Sequence, residues 1–305
     1  MLSKYKLNQL YFKDTQFANL MTRRIFNVLL IANPYDAFML EDDGRIDEKI
    51  FNEYTSLSLR YPPRFSQVST EEEALALLAS MTFDLVICMP GTGDNDSFDI
   101  GRHIKSLYEH IPIVILTPFS HGITARIADE DLSAFDYVFC WLGNTDLLVS
   151  IIKLIEDKMN LEHDVAEVGV QLILLVEDGI RFYSSVLPNL YKFVLKQSQE
   201  FSTEALNAHQ RTLRMRGRPK IVLARTYEEA VRIFNQYRDN ILGIISDMSF
   251  MHDGVKDPYA GYKFGQYVRK TGLIIPFVLE SSESSNKVYA KELGASFIDK
   301  NSKSY

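Results

Sequence analysis

Short apolar runs alternate with amphipathic stretches along the chain, and the whole alternation occurs twice. In the first half the runs are FNVLLIA (26–32), RFSQVS (64–69), FDLVIC (83–88), IPIVILT (111–117) and FDYVFC (135–140). In the second half they are VQLILLV (170–176), KIVLA (220–224), ILGIISD (241–247), IIPFVLE (274–280) and ASFID (295–299). They are apolar throughout rather than at every other position, which is the mark of parallel strands covered on both faces. Helical spacing lies between them: DEKIFNEYTSLSL, TEEEALALLASM, FDIGRHIKSLYEH and, more weakly, ITARIADEDL in the first half. SSVLPNLYKFVLKQSQEF, TYEEAVRIFNQYR, YAGYKFGQYVRK and SSNKVYAKEL take the same places in the second. Thr70, with Glu73 three residues on, predicts a capping box at one helix start. Strand and helix in strict alternation predict an α/β domain with a doubly wound parallel sheet.

The halves align at an offset of about 160 residues, FDLVICM against LGIISDM and HIPIVILT against LIIPFVLES. The fold expected is therefore two flavodoxin-like, doubly wound five-stranded sheets in tandem, each with strand order 2-1-3-4-5. The divisions fall at 1–24, an N-terminal helical extension, then 25–160 and 161–305. A helix through Leu147, Leu148, Ile151, Ile152, Leu154 and Ile155 joins the domains, with Gly169 as its break. Two features depart from the plan. The first helix of the second domain reads from about residue 181 to about 214, far beyond the mean of about 11 residues. Apolar residues on its outer part, Phe201, Leu206 and Leu213, predict packing against another chain or the neighbouring domain, and so a homodimer through this helix. The chain also stops at KNSKSY, directly after the fifth strand of the second domain. A doubly wound domain needs a fifth helix there, and the expectation is a piece truncated before that helix.

Composition narrows the class. With 46% apolar and 24% charged residues in 305, the chain is of ordinary globular make-up with room for two cores. A net charge of −7 argues against a nucleic-acid or anionic-membrane partner. No apolar run reaches the roughly 20 residues of a membrane span, and MLSKYKLNQLYFKDTQF lacks a signal-peptide core, so a cytoplasmic location is expected. The two cysteines, Cys88 and Cys140, end strands that a third strand separates, too far apart for a disulfide. Six scattered histidines without HExxH or CxxC spacing offer no His- or Cys-based metal site.

Chemistry concentrates at strand ends in the second half. The first strand ends in Glu177 and Asp178, the third in Asp247, the fourth in Ser281, five residues after Pro276, and the fifth in Lys300. Taken singly, each has an ordinary explanation: an N-cap, a loop acid, a surface lysine. Together, at the carboxyl ends where open α/β sheets bind ligands, they resemble the response-regulator (CheY-like) receiver family, whose pattern is an acidic pair, one Asp, Ser/Thr and Lys in that order. That resemblance covers about 130 residues. It implies that Asp247 is the phosphoacceptor and that Glu177, Asp178, Asp247 and the Ser249 backbone carbonyl hold Mg²⁺. It further implies that Ser281 and Lys300 hold the phosphoryl group and that Phe297, with Ser281, is the switch position. Two departures stand out: MSFMHDGVKDPYAG after Asp247 is longer than the family's loop and lacks its Met-Pro, and GASFIDK is one residue short before its lysine.

The first half repeats the fold without the acids. Ala32 and Asn33 stand at the acidic-pair position, Met89 at the phosphoacceptor, Thr117 at the hydroxyl and Trp141 at the lysine, which makes it a degenerate receiver. GDNDSFD lacks the ligand spacing of a calcium loop, and Asp96 or Ser97 reads as a helix cap. GTG at 91–93 has no Gly-Lys-Ser/Thr after it and is no phosphate loop. RTLRMRGRPK (211–220) has five basic residues in ten without interleaved aromatics, and reads as a solvated helix tip or a contact to an acidic partner.

Longer phrases (NPYDAFMLEDDGRIDE, VFCWLGNTD, IKLIEDKMNLEHD and VQLILLVEDGIRFYSSVLPNLY) resemble the tandem-receiver N-terminal region of bacterial phosphoenolpyruvate synthase or pyruvate phosphate dikinase-like proteins. The expected function is a two-component input module. Its second receiver takes a phosphoryl group from a sensor histidine kinase or phosphotransfer protein and governs a C-terminal output domain, while the chain itself is not an enzyme beyond its own phosphotransfer. Two alternatives stand beside it: a receiver-fold scaffold for protein contacts, and an aspartyl-phosphate phosphatase. The phosphatase would want a second Asp where Ser249 stands.

Overall fold

A computed structural model describes residues 17–41, 45–57, 59–90, 97–118, 127, 130–201 and 215–302. The N-terminal extension falls mostly outside these residues, as do the acidic groups of GDNDSFD before Ser97 and six of the ten residues of ITARIADEDL.

Two compact units divide the chain. One holds residues 23–156 with 187–192; the other holds 157–186 and 193–305 with the N-terminal residues through Thr22. The first contains β1 (Asn27–Ile31), α1 (Pro34–Glu41), α2 (Ile46–Ser56), β2 (Arg64–Val68), α3 (Glu71–Ser80), β3 (Leu85–Cys88), α4 (Ser97–Leu107), β4 (Ile113–Pro118) and β5 (Tyr137–Trp141). Helix α5 (Asp146–Val168) follows, then β6 (Leu172–Val176), α6 (Ile180–Phe201), β7 (Lys220–Ala224), α7 (Tyr227–Tyr237) and β8 (Ile241–Asp247). The chain continues through β9 (Phe250–His252), β10 (Val255–Asp257), α8 (Ala260–Lys270), β11 (Phe277–Ser281), α9 (Lys287–Leu293) and β12 (Ser296–Asp299).

Both large sheets are parallel and five-stranded. Their orders, β2-β1-β3-β4-β5 and β12-β11-β8-β6-β7, are the same 2-1-3-4-5 arrangement, that of the CheY-like doubly wound fold. Their central strands are buried: every residue of β3 is, and Leu172, Leu174 and Val176 of β6 lie in a core with Phe234, Phe264 and Phe277. Every strand expected from the sequence is present. Most begin one to three residues later than the apolar run does. Asp84 explains one such start: its carboxylate accepts the backbone N–H of Phe26 (2.8 Å) and of Asn27 (2.9 Å), capping the entry to β1 rather than extending β3. Asp136 does the same for Ile113 at 3.0 Å.

The capping box at Thr70 forms, with the Glu73 N–H donating to Thr70 Oγ1 at 3.2 Å. Thr226 and Glu229 reproduce the Thr side of that device at the start of α7, at 3.1 Å. Cys88 and Cys140 are buried, unlinked thiols on β3 and β5 with β4 between them, and burial pushes Cys88 up to about 12. Helix α5 ends where expected, at Gly169, whose φ of 67° is the left-handed conformation that stops a helix. Helix α6 is described to Phe201; residues 202–214, with Leu206 and Leu213, lie outside the described residues.

One reading is corrected. Arg218 and Lys220 of the basic run are neither solvated nor turned to a foreign surface. Arg218 makes a two-pronged pair with Asp157 of α5 (2.7 and 3.0 Å), and Lys220 lies 2.7 Å from Asp164 one helical stretch on. All four side chains are at most 3% exposed. Burial pulls the Lys220 pKa down, and the two aspartates only partly restore it. Asp157 also accepts the N–H of Ile221 at 3.0 Å and Asp164 that of Met21 at 3.2 Å, so the acids hold backbone as well as charges.

Candidate functional site

Register tests the equivalence of the two halves strand by strand. Ile31 pairs with Cys88 as Val176 pairs with Ser246, so the next positions, Met89 and Asp247, correspond. Cys88 pairs with Ile115 as Ser246 pairs with Leu279, which puts Thr117 opposite Ser281 in the comparison. Thr117 pairs with Cys140 as Ser281 pairs with Asp299, and Trp141 then corresponds to Lys300.

In the second unit these strand ends bring charged groups together. Carboxylate oxygens of Glu177, Asp178 and Asp247 all lie within 4.8 Å of one another. Lys300 reaches between them: its Nζ lies 2.7 Å from Asp247 Oδ1 and also contacts Glu177 Oε2, while it sits 4.1 Å from the centroid of the Phe182 ring. Glu177 and Lys300 are nearly sealed from solvent, and the Asp247 side chain is 12% exposed. Glu177 Oε1 accepts the Gly179 N–H at 2.9 Å. Burial, and next the Asp247 charge, raise Glu177 to about 7 despite Lys300 and that N–H. Burial pulls Lys300 down, but Glu177 and Asp247 more than offset it and leave the lysine above its ordinary value. The donors of Glu177, Asp178 and Asp247 are all hard oxygens, a set that fits Mg²⁺.

Ser281 ends β11, buried, and its Oγ accepts from Glu283 N–H (3.1 Å) and from Asn286 Nδ2 (2.9 Å); its carbonyl accepts the Lys300 N–H at 2.9 Å. Phe297 lies on β12, half-buried against the core and paired in register with Leu279. Ser249 is half-buried, two residues past Asp247 between β8 and β9.

Sequence reasoning missed three parts of this site. The long loop after Asp247 is a β-hairpin, β9–β10, closed by Asp253 (φ 52°) and Gly254 (φ 76°), a pair of left-handed residues as a two-residue hairpin turn requires. The Asp-Gly dipeptide was its signal. The hairpin carries Lys256, whose Nζ donates to both Asp178 oxygens at 2.6 and 2.8 Å. Gly261, at the start of α8, backs the Asp247 backbone: a Cβ there would lie 2.0 Å from the Asp247 carbonyl oxygen.

The corresponding place in the first unit holds no such set. Asn33 Nδ2 donates to Asp36 Oδ2 at 2.7 Å, Met89 is buried, and Thr117 Oγ1 donates to the Pro118 carbonyl at 3.0 Å. Among the described residues, no group of three ligating side chains forms there.

No protein-family model matches the sequence, and no curated protein matches it. Solved structures do. The response regulator TrrA from Thermotoga maritima in complex with Mg²⁺-BeF is 20% identical, over 43% of this chain and 99% of that one, with a TM-score of 0.32. The phosphorylated cyanobacterial phytochrome response regulator RcpA is 21% identical, over 46% and 96%, with a TM-score of 0.33. A probable two-component response regulator/GGDEF domain protein is 13% identical, over 91% and 93%, with a TM-score of 0.34.

Proposed function

We propose that this chain is a two-component signalling input module whose second domain accepts a phosphoryl group on Asp247 and whose first domain does not. The observation that carries the reading is the Asp247–Lys300 pair at 2.7 Å beside the Glu177 and Asp178 carboxylates, all at carboxyl ends of parallel strands. Mg²⁺, held by Glu177, Asp178, Asp247 and the Ser249 carbonyl, would neutralise phosphoryl oxygens. Asp247 Oδ attacks the phosphorus of a phosphohistidine on a sensor kinase or phosphotransfer protein. As the O–P bond forms the P–N bond breaks, and the imidazole leaves with the electron pair. Lys300, already charged and fixed by burial and its place over Phe182, needs no reorganisation to pair with the product. The Ser281 hydroxyl stands ready to bond a phosphoryl oxygen and, with Phe297, to report the change.

Intact mass after acetyl phosphate and Mg²⁺ tests this. One phosphoryl adduct is expected, lost in Asp247→Asn. No adduct on a folded protein under any donor would overturn the reading in favour of a scaffold, and an adduct on the first domain would contradict the role of Met89.

Four finer readings belong with it. The two-domain boundaries are 25–160 and 161–305. The resemblance of the longer phrases to phosphoenolpyruvate synthase-like proteins supports such a catalytic domain as the output. The segment near 181–214, in which Phe193 of α6 is exposed, forms a homodimer contact; light scattering with and without residues 198–215 checks it, and two monomers of equal stability would end the idea. No helix among the described residues is long and apolar enough to cross a membrane, and the proposed location is the cytoplasm.

A further inference from the structure

The β9–β10 hairpin is a fixed structure on the described surface. The Asp253 N–H donates to Glu228 Oε1 at 2.9 Å, Met251 bridges to Thr226, and the His252 ring lies 4.1 Å from that of Tyr227. On its return strand Asp257 is held by His252 Nδ1 at 3.0 Å, Lys263 Nζ at 2.7 Å and the Tyr259 N–H at 2.9 Å. Lys256 sits one residue before this anchored aspartate. Its backbone is therefore positioned by neighbours on both sides, and its stem points one charge at one target.

That target is Asp178. The ammonium engages both carboxylate oxygens, while Asp178 is 14% exposed and the Lys256 side chain 53%. The two lysines thus divide the acids: Lys300 serves Glu177 and Asp247, and Lys256 serves Asp178. Three carboxyl groups meet two ammonium groups, which leaves little net charge at the cluster. A divalent cation added with both ammonium groups in place would invert the local sign and put two cations across one carboxylate. Lys300 is buried and cannot leave. Lys256 is half in solvent and can.

We propose that Lys256 is a tethered cation that competes with the divalent ion for Asp178, so that the β9–β10 hairpin sets the cation affinity of the phosphoacceptor site. This rests on the reading of Glu177, Asp178 and Asp247 as the Mg²⁺ cluster. Linkage makes the competition reciprocal: Mg²⁺ frees the lysine, and a partner that engages the freed hairpin tightens Mg²⁺ by the same factor. The insertion after Asp247 is then a means of tuning the site.

The test is calorimetric titration of Mg²⁺ alone into the full 305-residue chain and its variants. Lys256→Met keeps the stem and removes the charge, and should bind Mg²⁺ about fivefold tighter than the native chain, the scale of a partly exposed ion pair. Lys256→Arg keeps the charge and should stay within about twofold of native. Backbone amide resonances of residues 253–257 should move with Mg²⁺ in the native chain and little in Lys256→Met. Equal Mg²⁺ affinity in the native and Met proteins overturns the competition alone. Absence of binding in all of them, matching Asp178→Asn, overturns both this and the Mg²⁺ cluster.

Discussion

Lys300 Nζ lies 2.7 Å from Asp247 Oδ1, and the same ammonium contacts Glu177 across the cluster. One buried cation thus bridges two strand ends that are far apart in sequence, and it is the main thing that lets two near-buried carboxylates coexist. Replacing it leaves their repulsion uncompensated. Lys300→Met should destabilise the second domain by about 3 kcal/mol without Mg²⁺. Added Mg²⁺ should recover part of that loss. Chemical denaturation with and without the ion checks both; an unchanged midpoint would show that the lysine carries no such load.

Glu177 gives a pH dependence with a defined sign. Its pKa in the fold is about 7, above the value near 4.5 of a free glutamate, because burial and Asp247 disfavour its charge. The folded chain therefore holds that proton more tightly than the unfolded one. This contribution is full below about pH 4.5 and is lost as pH rises through about 7, on the order of 3 kcal/mol in all. Without Mg²⁺, the native chain should lose stability relative to Glu177→Gln across that window. Thermal melts of the two proteins at pH 5 and pH 8 measure the difference, and parallel curves would refute the assignment.

Gly261 tests how tightly the Asp247 backbone is held. The methyl of Gly261→Ala would stand 2.0 Å from the Asp247 carbonyl oxygen and 3.0 Å from Met248 Cα, both backbone atoms that cannot swing away. The variant should lose about 3 kcal/mol or more and bind Mg²⁺ weakly if it folds. Gly254→Ala is the control: nothing lies within 4 Å of its added methyl, and only the φ of 76° opposes it, at about 1 kcal/mol. Similar losses in the two would mean that the close approach at Gly261 is relieved elsewhere.

The buried Asp157–Arg218 pair should be costly to break. Asp157→Ala strands a guanidinium that is 3% exposed and leaves the Ile221 N–H without this acceptor. A loss of about 3–5 kcal/mol is expected, more than for any exposed pair such as Lys263–Asp257. Adding Arg218→Met should restore part of it. Denaturant midpoints of the single and double variants decide; additive losses would show that the two charges do not act as a pair.

Each strand of the two parallel sheets, the tandem repeat and the positions of Glu177, Asp178, Asp247, Ser281 and Lys300 could be read from the sequence, because most of these strands are apolar runs and their carboxyl ends fall at countable places. The missing acidic set of the first half was legible for the same reason, since Met89 and Trp141 stand at the positions that register equates with Asp247 and Lys300. Tertiary structure alone decided which charges meet. Nothing in RTLRMRGRPK says that Arg218 and Lys220 find Asp157 and Asp164, some 55 to 60 residues back, inside the domain. Nor does the sequence place Lys256 on Asp178, which lies 78 residues upstream. Period and propensity act over a few residues, whereas an ion pair depends on where a turn sends the chain. The Asp253–Gly254 turn folds the segment after Asp247 back on itself, and only that reversal carries its lysine to the acids at the carboxyl ends of β6 and β8.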